Sequence, residues 1–184
     1  MKLFLDLEVT SFDPQRGGII QIGAIIEDND EYVTDTLNLF LNPNTYPSGV
    51  EIKDENLKRC HHTRKMLETY PNQADVFKEF LETHIDRYGQ RLTLVGHNVI
   101  KHDLQFLINW FRENGKNIFD YINFNPIDTL TLAVILKDTG RLNSDELSLG
   151  ALCKHFNIPL EKWHNAKDDA DAVRALYSEL VDCF

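Results

Sequence analysis

The chain begins with an apolar run that two acids interrupt, and this run constrains the fold more than any other segment. Between Lys2 and Val9 the acids Asp6 and Glu8 alternate with leucines. In a β-strand, alternate side chains point to opposite faces, so both acids would share one face while the leucines point into a core. An edge strand with a solvated acidic face is one interpretation. The apolar run favours a central strand instead, where two carboxylates repel each other and lose hydration.

Length and composition are those of an ordinary globular protein. With 184 residues, 42% hydrophobic and 26% charged, the chain is large enough for one domain with a sizeable core. No apolar run reaches the roughly 18 residues of a membrane helix, and the N-terminus lacks the layout of a signal peptide. Cys60, Cys153 and Cys183 form no CxxC pair, which favours reduced thiols over a disulfide frame or a zinc site. We therefore expect a single cytoplasmic domain, residues 1–184, with no membrane partner.

The net charge argues against one way of binding nucleic acid. The formal charge is −10 and the pI is near 5.1. Proteins that hold long stretches of nucleic acid usually present a basic surface, which this composition does not favour. An enzyme that reaches a few phosphates through metal ions is still compatible with it, because the ions supply the missing positive charge.

Hydrophobic periodicity predicts strands in the first part of the chain and mainly helices after it. Predicted strands cover Lys2–Val9, Ile19–Ile26, Tyr32–Leu41 and Leu92–Val95, and a further strand end opens the segment Ile127–Leu136, which continues as a helix. Predicted helices cover Gln73–Arg87, a segment from about Leu104 to Asn114, Ser144–Phe156 with Ser144 as N-cap, and a C-terminal helix that carries Ala170 to Leu180. This order predicts an α/β or α+β domain.

Two further acidic blocks follow predicted loops. Asp103 comes after a buried strand that ends in Gly96-His97-Asn98, and Asp169 lies five residues after His164. An acid in the first turn of a helix is often only a cap, and this interpretation stays open for Asp103. If the fold instead brings these acids to Asp6 and Glu8, they form a pocket that only divalent cations make tolerable. His164, with an ordinary pKa near 6.5, could accept a proton there at neutral pH.

The acidic blocks occur in a recognisable order. The motif segments are Asp6-Leu7-Glu8-Val9-Thr10, Ile19–Ala24, His62–Leu67, Leu94–Asn98 with Asp103–Leu107, and His164–Ala170, which reads His-x-Ala-x-x-Asp-Ala. Together they resemble the DEDDh family of 3′→5′ exonucleases, which includes the proofreading subunit of bacterial replicative DNA polymerase and ribonuclease T. The likeness runs over nearly the whole chain.

The resemblance implies a ribonuclease H-like fold, an α/β domain with a five-stranded mixed sheet flanked by helices, in which the motifs converge on one cleft. It implies two Mg²⁺ or Mn²⁺ ions, and hard oxygen ligands suit both metals. Such ion pairs, about 3.5–4 Å apart, clamp the attacking and leaving oxygens of a phosphodiester. The implied catalytic residues are the metal ligands Asp6, Glu8, Asp103 and Asp169, together with His164 as the general base. The product would be a 5′-mononucleotide released from the 3′ end of a nucleic acid.

Four further residues are candidates for substrate contact: Thr10, Phe12, His97 and Asn98. Phe12 occupies the place where the family often has an apolar wedge against the terminal bases, but a core or inward-facing turn residue fits the sequence equally well. His97 and Asn98 could instead only orient their loop. Asp168 competes with Asp169 as a ligand, and the family spacing from His164 favours Asp169.

The expected partner is the 3′ end of DNA or RNA, and a DNA polymerase is a further candidate partner. Two alternatives remain at this level: a catalytically silent nucleic-acid-binding module with the same fold, and a metal phosphohydrolase on an unrelated fold. The complete set of four acids with His164 favours an active exonuclease.

Overall fold

The computed structural model describes residues 1–159 and 164–184, and its centre is a five-stranded mixed sheet. The strands are β1 (Lys2–Val9), β2 (Ile19–Glu27), β3 (Val33–Phe40), β4 (Thr93–Gly96) and β5 (Ile127–Asp128), in the order β3-β2-β1-β4-β5. β2 runs antiparallel to β1 and β3, whereas β4 runs parallel to β1 and β5. β1 is therefore the central strand, and the edge-strand interpretation of its acids is wrong.

Helices cover both faces of this sheet, which confirms the predicted fold class. They are α1 (Asp54–Arg59), α2 (Arg64–Leu67), α3 (Gln73–Glu79), α4 (Asp103–Glu113), α5 (Thr129–Asp138), α6 (Leu149–His155) and α7 (Ala166–Asp182). The leucines of β1 pack into the main core with Phe77 of α3 and Trp110 of α4. On the other face, Phe4 packs against Tyr177 of α7, with 5.7 Å between ring centres. Asp6 and Glu8 have the parity of Phe4, so they lie on the face that α7 covers.

Two predicted helices differ in extent from the observed ones. The helix expected over Gln73–Arg87 keeps its α-helical form only to Glu79, and continues as a π-helical stretch (Phe80–Ile85) and a 3-10 turn (Asp86–Tyr88). The helix expected from Ser144 begins at Leu149, because Ser148 is the residue whose hydroxyl caps it, accepting from the N–H of Ala151. The Ser144 hydroxyl donates to the carbonyl of Glu146 instead. The short helix α1 was not predicted.

The first turn of α7 packs unusually close to the backbone of β2. A Cβ atom on Gly23 would lie 2.0 Å from the backbone carbonyl of Ala166, so no larger residue fits there without moving the helix. Two residues earlier, the buried Gln21 accepts from the N–H of Ala166 at 3.4 Å and donates to Asn165 at 3.5 Å and Asn38 at 2.8 Å. These contacts fix the height of the N-terminal turn of α7 above the sheet.

Within residues 1–159 and 164–184, none of the helices combines the length and the apolar character needed to cross a bilayer.

Candidate active site

Three elements bring the four predicted acids to one cleft. Asp6 and Glu8 come from β1, Asp103 is the first residue of α4, and Asp169 lies in the first turn of α7. The cleft has a volume of about 670 Å³, and all four acids line it together with His164. The sequence separates these residues by as many as 163 positions, so the fold alone creates the cluster.

Asp103 is anchored by the backbone of the central strand. β1 pairs with β4 only over Lys2–Phe4, so the N–H of Leu7 has no strand partner on that side. The Oδ1 atom of Asp103 accepts this N–H at 3.1 Å, and the residue is 3% exposed. Asp103 thus does more than begin a helix: it connects α4 to the strand that carries Asp6 and Glu8.

Asp169 is the most deeply placed acid on α7. Asn165 caps this helix by accepting the N–H of Asp168, which turns Asp169 towards β1. Asp169 is 7% exposed, and its Oδ1 atom has no hydrogen-bond partner among the described residues. A buried carboxylate oxygen without a partner is costly, and a cation would satisfy it. Asp168 is half-buried and does not line the cleft.

The acids strongly perturb one another. Burial, followed by the charges of Asp103 and Asp169, raises the pKa of Asp6 well above its ordinary value. Burial and then Asp169 raise the pKa of Glu8 to about 8, although the positive charge of Arg59 opposes this. Burial raises the pKa of Asp169 to about 7, against a backbone hydrogen bond from His164 that lowers it.

These shifts are those of buried, mutually repelling carboxylates whose charge the single guanidinium of Arg59 does not compensate. The donor set fits hard divalent cations such as Mg²⁺ or Mn²⁺, whose ligands in proteins are mainly carboxylate and water oxygens. One ligand atom from each of Glu8, His164 and Asp169 lies within 4.8 Å of the others, so this part of the cluster could hold a single ion.

His164 stands at the rim of the cluster in a restricted backbone conformation. Its φ is +61°, in the left-handed region that few non-glycine residues adopt. The imidazole is half-buried, and burial, assisted by the positive charges of Arg59 and His61, lowers its pKa. A neutral imidazole at neutral pH can accept a proton.

The residues predicted to contact substrate have different surroundings. Phe12 lines the cleft and is 54% exposed, which excludes the core interpretation. His97 and Asn98 also line it: His97 Nδ1 lies 3.0 Å from the Thr129 hydroxyl, and the Asn98 N–H donates to Asp128 at 2.9 Å.

Thr10 is not at the cleft. It is fully buried, its hydroxyl donates to the Glu51 carbonyl at 2.6 Å and accepts the N–H of Gly18 at 2.9 Å. These bonds give Thr10 a structural role behind the cleft wall and do not favour a substrate contact.

Sequence reasoning missed several residues of the cleft. Arg59 and Asn56 reach it from α1, His102 from the loop before α4, and an apolar wall comes from Leu130, Leu147 and Leu149. Sequence reasoning also missed Gln21, which tethers α7 without lining the cleft. One signal was present, since Gln21 is a lone amide in a nine-residue strand that is otherwise almost entirely apolar and is buried throughout. The segment that contains α1 offered none, because its hydrophobic pattern is short and irregular.

Comparison with known proteins identifies the family of the chain. A model of the RNase T family, described as exonuclease, matches residues 3–177. The chain belongs to this exonuclease family. Relatives of this exonuclease include the DNA polymerases III of PolC type from Clostridium perfringens and Thermotoga petrophila. The first is 26% identical over 91% of the chain and 10% of the polymerase, and the second is 28% identical over 97% and 12%. The chain thus spans about a tenth of the length of the curated relatives it matches.

Solved structures share the fold of this family member. Escherichia coli exonuclease I in complex with a dT13 oligonucleotide superposes with a TM-score of 0.77 at 17% identity, covering 97% of this chain and 40% of the other. Cell-death related nuclease 4 superposes with a TM-score of 0.72 at 14% identity, covering 98% and 63%. At these identities the comparison establishes the exonuclease fold only.

Proposed function

We propose that the chain is a metal-dependent 3′→5′ exonuclease of the DEDDh type that trims single-stranded or frayed 3′ ends and releases 5′-mononucleotides. The observation that carries this proposal is the convergence of four carboxylates from three elements on one cleft, with His164 beside them. Membership in the exonuclease family supports the same activity.

Asp6, Glu8, Asp103 and Asp169 would hold two Mg²⁺ or Mn²⁺ ions. The raised pKa values of Asp6, Glu8 and Asp169 and the unpartnered Oδ1 of Asp169 support this assignment. When bound, the ions supply Lewis-acid polarisation of the phosphodiester and neutralise the clustered carboxylates. The protein's own part is to hold the oxygens in place, through the Leu7–Asp103 hydrogen bond and the close seating of α7 on β2.

His164 would act as the general base. Its imidazole lies beside Glu8 and Asp169, and its lowered pKa keeps it neutral at pH 7, ready to take a proton from the attacking water. The short distance to both acids would also suit a metal ligand, and the Mn²⁺ affinity of a His164 variant separates the two roles.

End recognition would rest on a small apolar surface. Phe12 is exposed at the cleft and can stack on a base, and such stacking contributes about 1–3 kcal/mol per base in single-strand-binding proteins. The net charge of −10 leaves little long-range attraction for a phosphate backbone. These features favour a cleft that reads the last few nucleotides of a strand.

Proofreading is the biological role that the relatives favour. The curated relatives are named as DNA polymerases III of PolC type, and a 3′→5′ exonuclease at a polymerase would remove mispaired termini. A DNA polymerase, in the same chain or as a partner, is therefore the proposed context. Faster trimming of a primer with a mismatched 3′ end than of its matched control would support this role, and equal rates would contradict it.

A substrate panel tests the activity. Oligonucleotides of DNA and RNA, labelled at the 3′ or the 5′ end and offered single-stranded, frayed or blunt, are incubated with Mg²⁺ or Mn²⁺. We expect early loss of the 3′ label, stepwise shortening of the 5′-labelled strand and 5′-mononucleotide as product. Tight binding without turnover would indicate the silent module instead, and loss of the 5′ label first would contradict the polarity.

A further inference from the structure

α1 brings one guanidinium into an otherwise acidic cleft. Arg59 is the last residue of this helix, and no other described residue that lines the cleft is a lysine or an arginine. Its side chain is exposed and makes no salt bridge with residues 1–159 or 164–184. Within the described part of the chain, the Arg59 guanidinium therefore keeps its hydrogen-bonding capacity for a ligand.

Arg59 lies next to the exposed aromatic ring of the cleft. Its guanidinium carbon is 5.4 Å from the centre of the Phe12 ring, a distance at which cation and ring attract each other. A guanidinium beside an exposed ring is arranged to contact a phosphate while the ring contacts a base.

The two residues share one scaffold. The Lys53 N–H, just before α1, donates to the carbonyl of Thr10 at 3.0 Å, and the Ser11 hydroxyl donates to the Glu51 carboxylate at 3.2 Å. The Thr10 hydroxyl adds a third bond, to the Glu51 carbonyl. Since these bonds join the segment before Phe12 to the segment before α1, the positions of Phe12 and Arg59 are fixed relative to each other.

Arg59 also acts on the reacting groups. Its charge lowers the pKa of Glu8 and that of His164, so the guanidinium lies within electrostatic range of both. One helical turn earlier, Asn56 lines the same cleft, and its Oδ1 atom has no partner among the described residues. The cleft side of α1 therefore carries two polar groups, the Arg59 guanidinium and the Asn56 Oδ1 atom, for which the described residues provide no hydrogen-bond partner.

We propose that Arg59 binds the phosphate of the 3′-terminal nucleotide, the group whose diester bond is cut, while Phe12 stacks on a terminal base. This inference rests on the proposed exonuclease function and names the phosphate contact of the same site. A guanidinium suits the task because its planar donors can bind two phosphate oxygens at once. It also gives a chain of net charge −10 a local attraction for an anionic substrate.

Calorimetry with thymidine 5′-monophosphate in Mn²⁺ tests this contact without turnover, because this nucleotide carries the phosphate that hydrolysis would leave. We expect Arg59→Gln to weaken binding by roughly tenfold, the order of a partly exposed charged hydrogen bond. Arg59→Lys should give an intermediate affinity, since it keeps the charge and loses the planar donors. Arg64→Gln is the matched control, because Arg64 pairs with Asp54 outside the cleft.

A double-mutant cycle separates phosphate binding from a purely structural role. If Arg59 only supports the Phe12 ring, Arg59→Gln has no effect in a Phe12→Ala background, and the proposal is overturned. If Arg59 binds phosphate, the loss persists in that background. Unchanged nucleotide affinity in Arg59→Gln would also overturn it, and retained Mn²⁺ binding in this variant confirms that the acids are still in place. Absence of trimming by the unmodified chain would count against the exonuclease function, whereas Arg59-dependent nucleotide binding would still be measured.

Discussion

The consecutive acids Asp168 and Asp169 form a matched pair of residues. Asp169 is buried in the cleft with an unpartnered oxygen, and Asp168 is half-buried outside it. We expect Asp169→Asn to abolish both Mn²⁺ binding and trimming, because it removes a ligand charge, while Asp168→Asn leaves both within a small factor. Calorimetry and a gel-based trimming assay measure the two effects. Equal losses in both variants would indicate that Asp168 is required as well, and retained Mn²⁺ binding in Asp169→Asn would indicate that Asp168 can replace Asp169 as a ligand.

Substitution of His164 should affect hydrolysis but not metal binding, unlike substitution of the acids. His164→Ala removes the proposed base but no carboxylate, so Mn²⁺ affinity should stay close to that of the unmodified protein. The rate of hydrolysis should fall by about 10²–10⁴-fold, the range typical of a lost general base. His155→Ala, an exposed histidine of α6, is the control. Loss of Mn²⁺ binding in His164→Ala would make His164 a ligand and overturn its assigned role.

Residue types and spacing predicted that the acids and His164 meet at one cleft, because each lies in a short motif. They could not predict Arg59, whose place at the cleft depends on hydrogen bonds between the segments around Thr10 and Glu51, 41 positions apart. Thr10 belongs to a recognised motif, yet its hydroxyl is used within the protein. A motif therefore fixes which residues are near the site, and the local packing decides which of them face it.

At the scale of elements, strong local signals predicted the structure well. The change from strand to helix within Ile127–Leu136 is observed as β5 followed by α5, where Asp128 caps the helix. Where two residues could each begin the same helix, the sequence predicted its start less well. Ser144 and Ser148 both precede the same apolar segment, and the observed cap is Ser148, while the Ser144 hydroxyl donates to the carbonyl of Glu146. The π-helical stretch after α3 has no sequence signature that period-based reasoning detects.

Gln21 should couple β2 to the start of α7. Gln21→Leu leaves the Ala166 N–H without its side-chain acceptor in a buried place, so we expect about 1–3 kcal/mol lower stability. We also expect weaker Mn²⁺ binding, since Asp169 lies on the same turn. Denaturant unfolding and calorimetry measure these effects. Unchanged Mn²⁺ affinity in Gln21→Leu would show that α7 is held in place without this bond.

For the whole molecule, the acid cluster predicts an unusual dependence of stability on pH in chelator. The pKa of Glu8 is raised from 4.5 to about 8 and that of Asp169 from 3.8 to about 7. At a pH between the ordinary and the raised pKa of each acid, the folded protein holds a proton that the unfolded chain has released. The free energy of unfolding should therefore decrease as pH rises from about 4.5 to 8. Thermal unfolding across this range measures the slope.

Saturating Mn²⁺ should reduce that slope, because the ion binds the deprotonated acids of the folded state only. The melting temperature near pH 8 should then be clearly higher with Mn²⁺ than with chelator. Identical melting temperatures under both conditions would contradict a metal site formed by these residues.

The charge of the whole chain predicts how it moves along its substrate. With a net charge of −10 and few cations at the cleft, the protein should release the strand after one or a few cleavages. A trap of unlabelled oligonucleotide, added after binding, should therefore stop the shortening of the labelled strand. Continued digestion of long strands in the presence of the trap by the chain of residues 1–184 would contradict a small, end-reading cleft.

The contact between Gly23 and Ala166 bears on how active and silent relatives could be told apart. Gly23 lies outside the proposed catalytic motifs, on a strand that contributes no acid to the cleft. Because it has no side chain, α7 can pack close to β2 and bring Asp169 to the cleft. A homologue could therefore keep every acid and the histidine and still be inactive, if a bulkier residue at this place lifted the helix. To judge from sequence whether a homologue is active, the residue that corresponds to Gly23 has to be inspected along with the acids and the histidine.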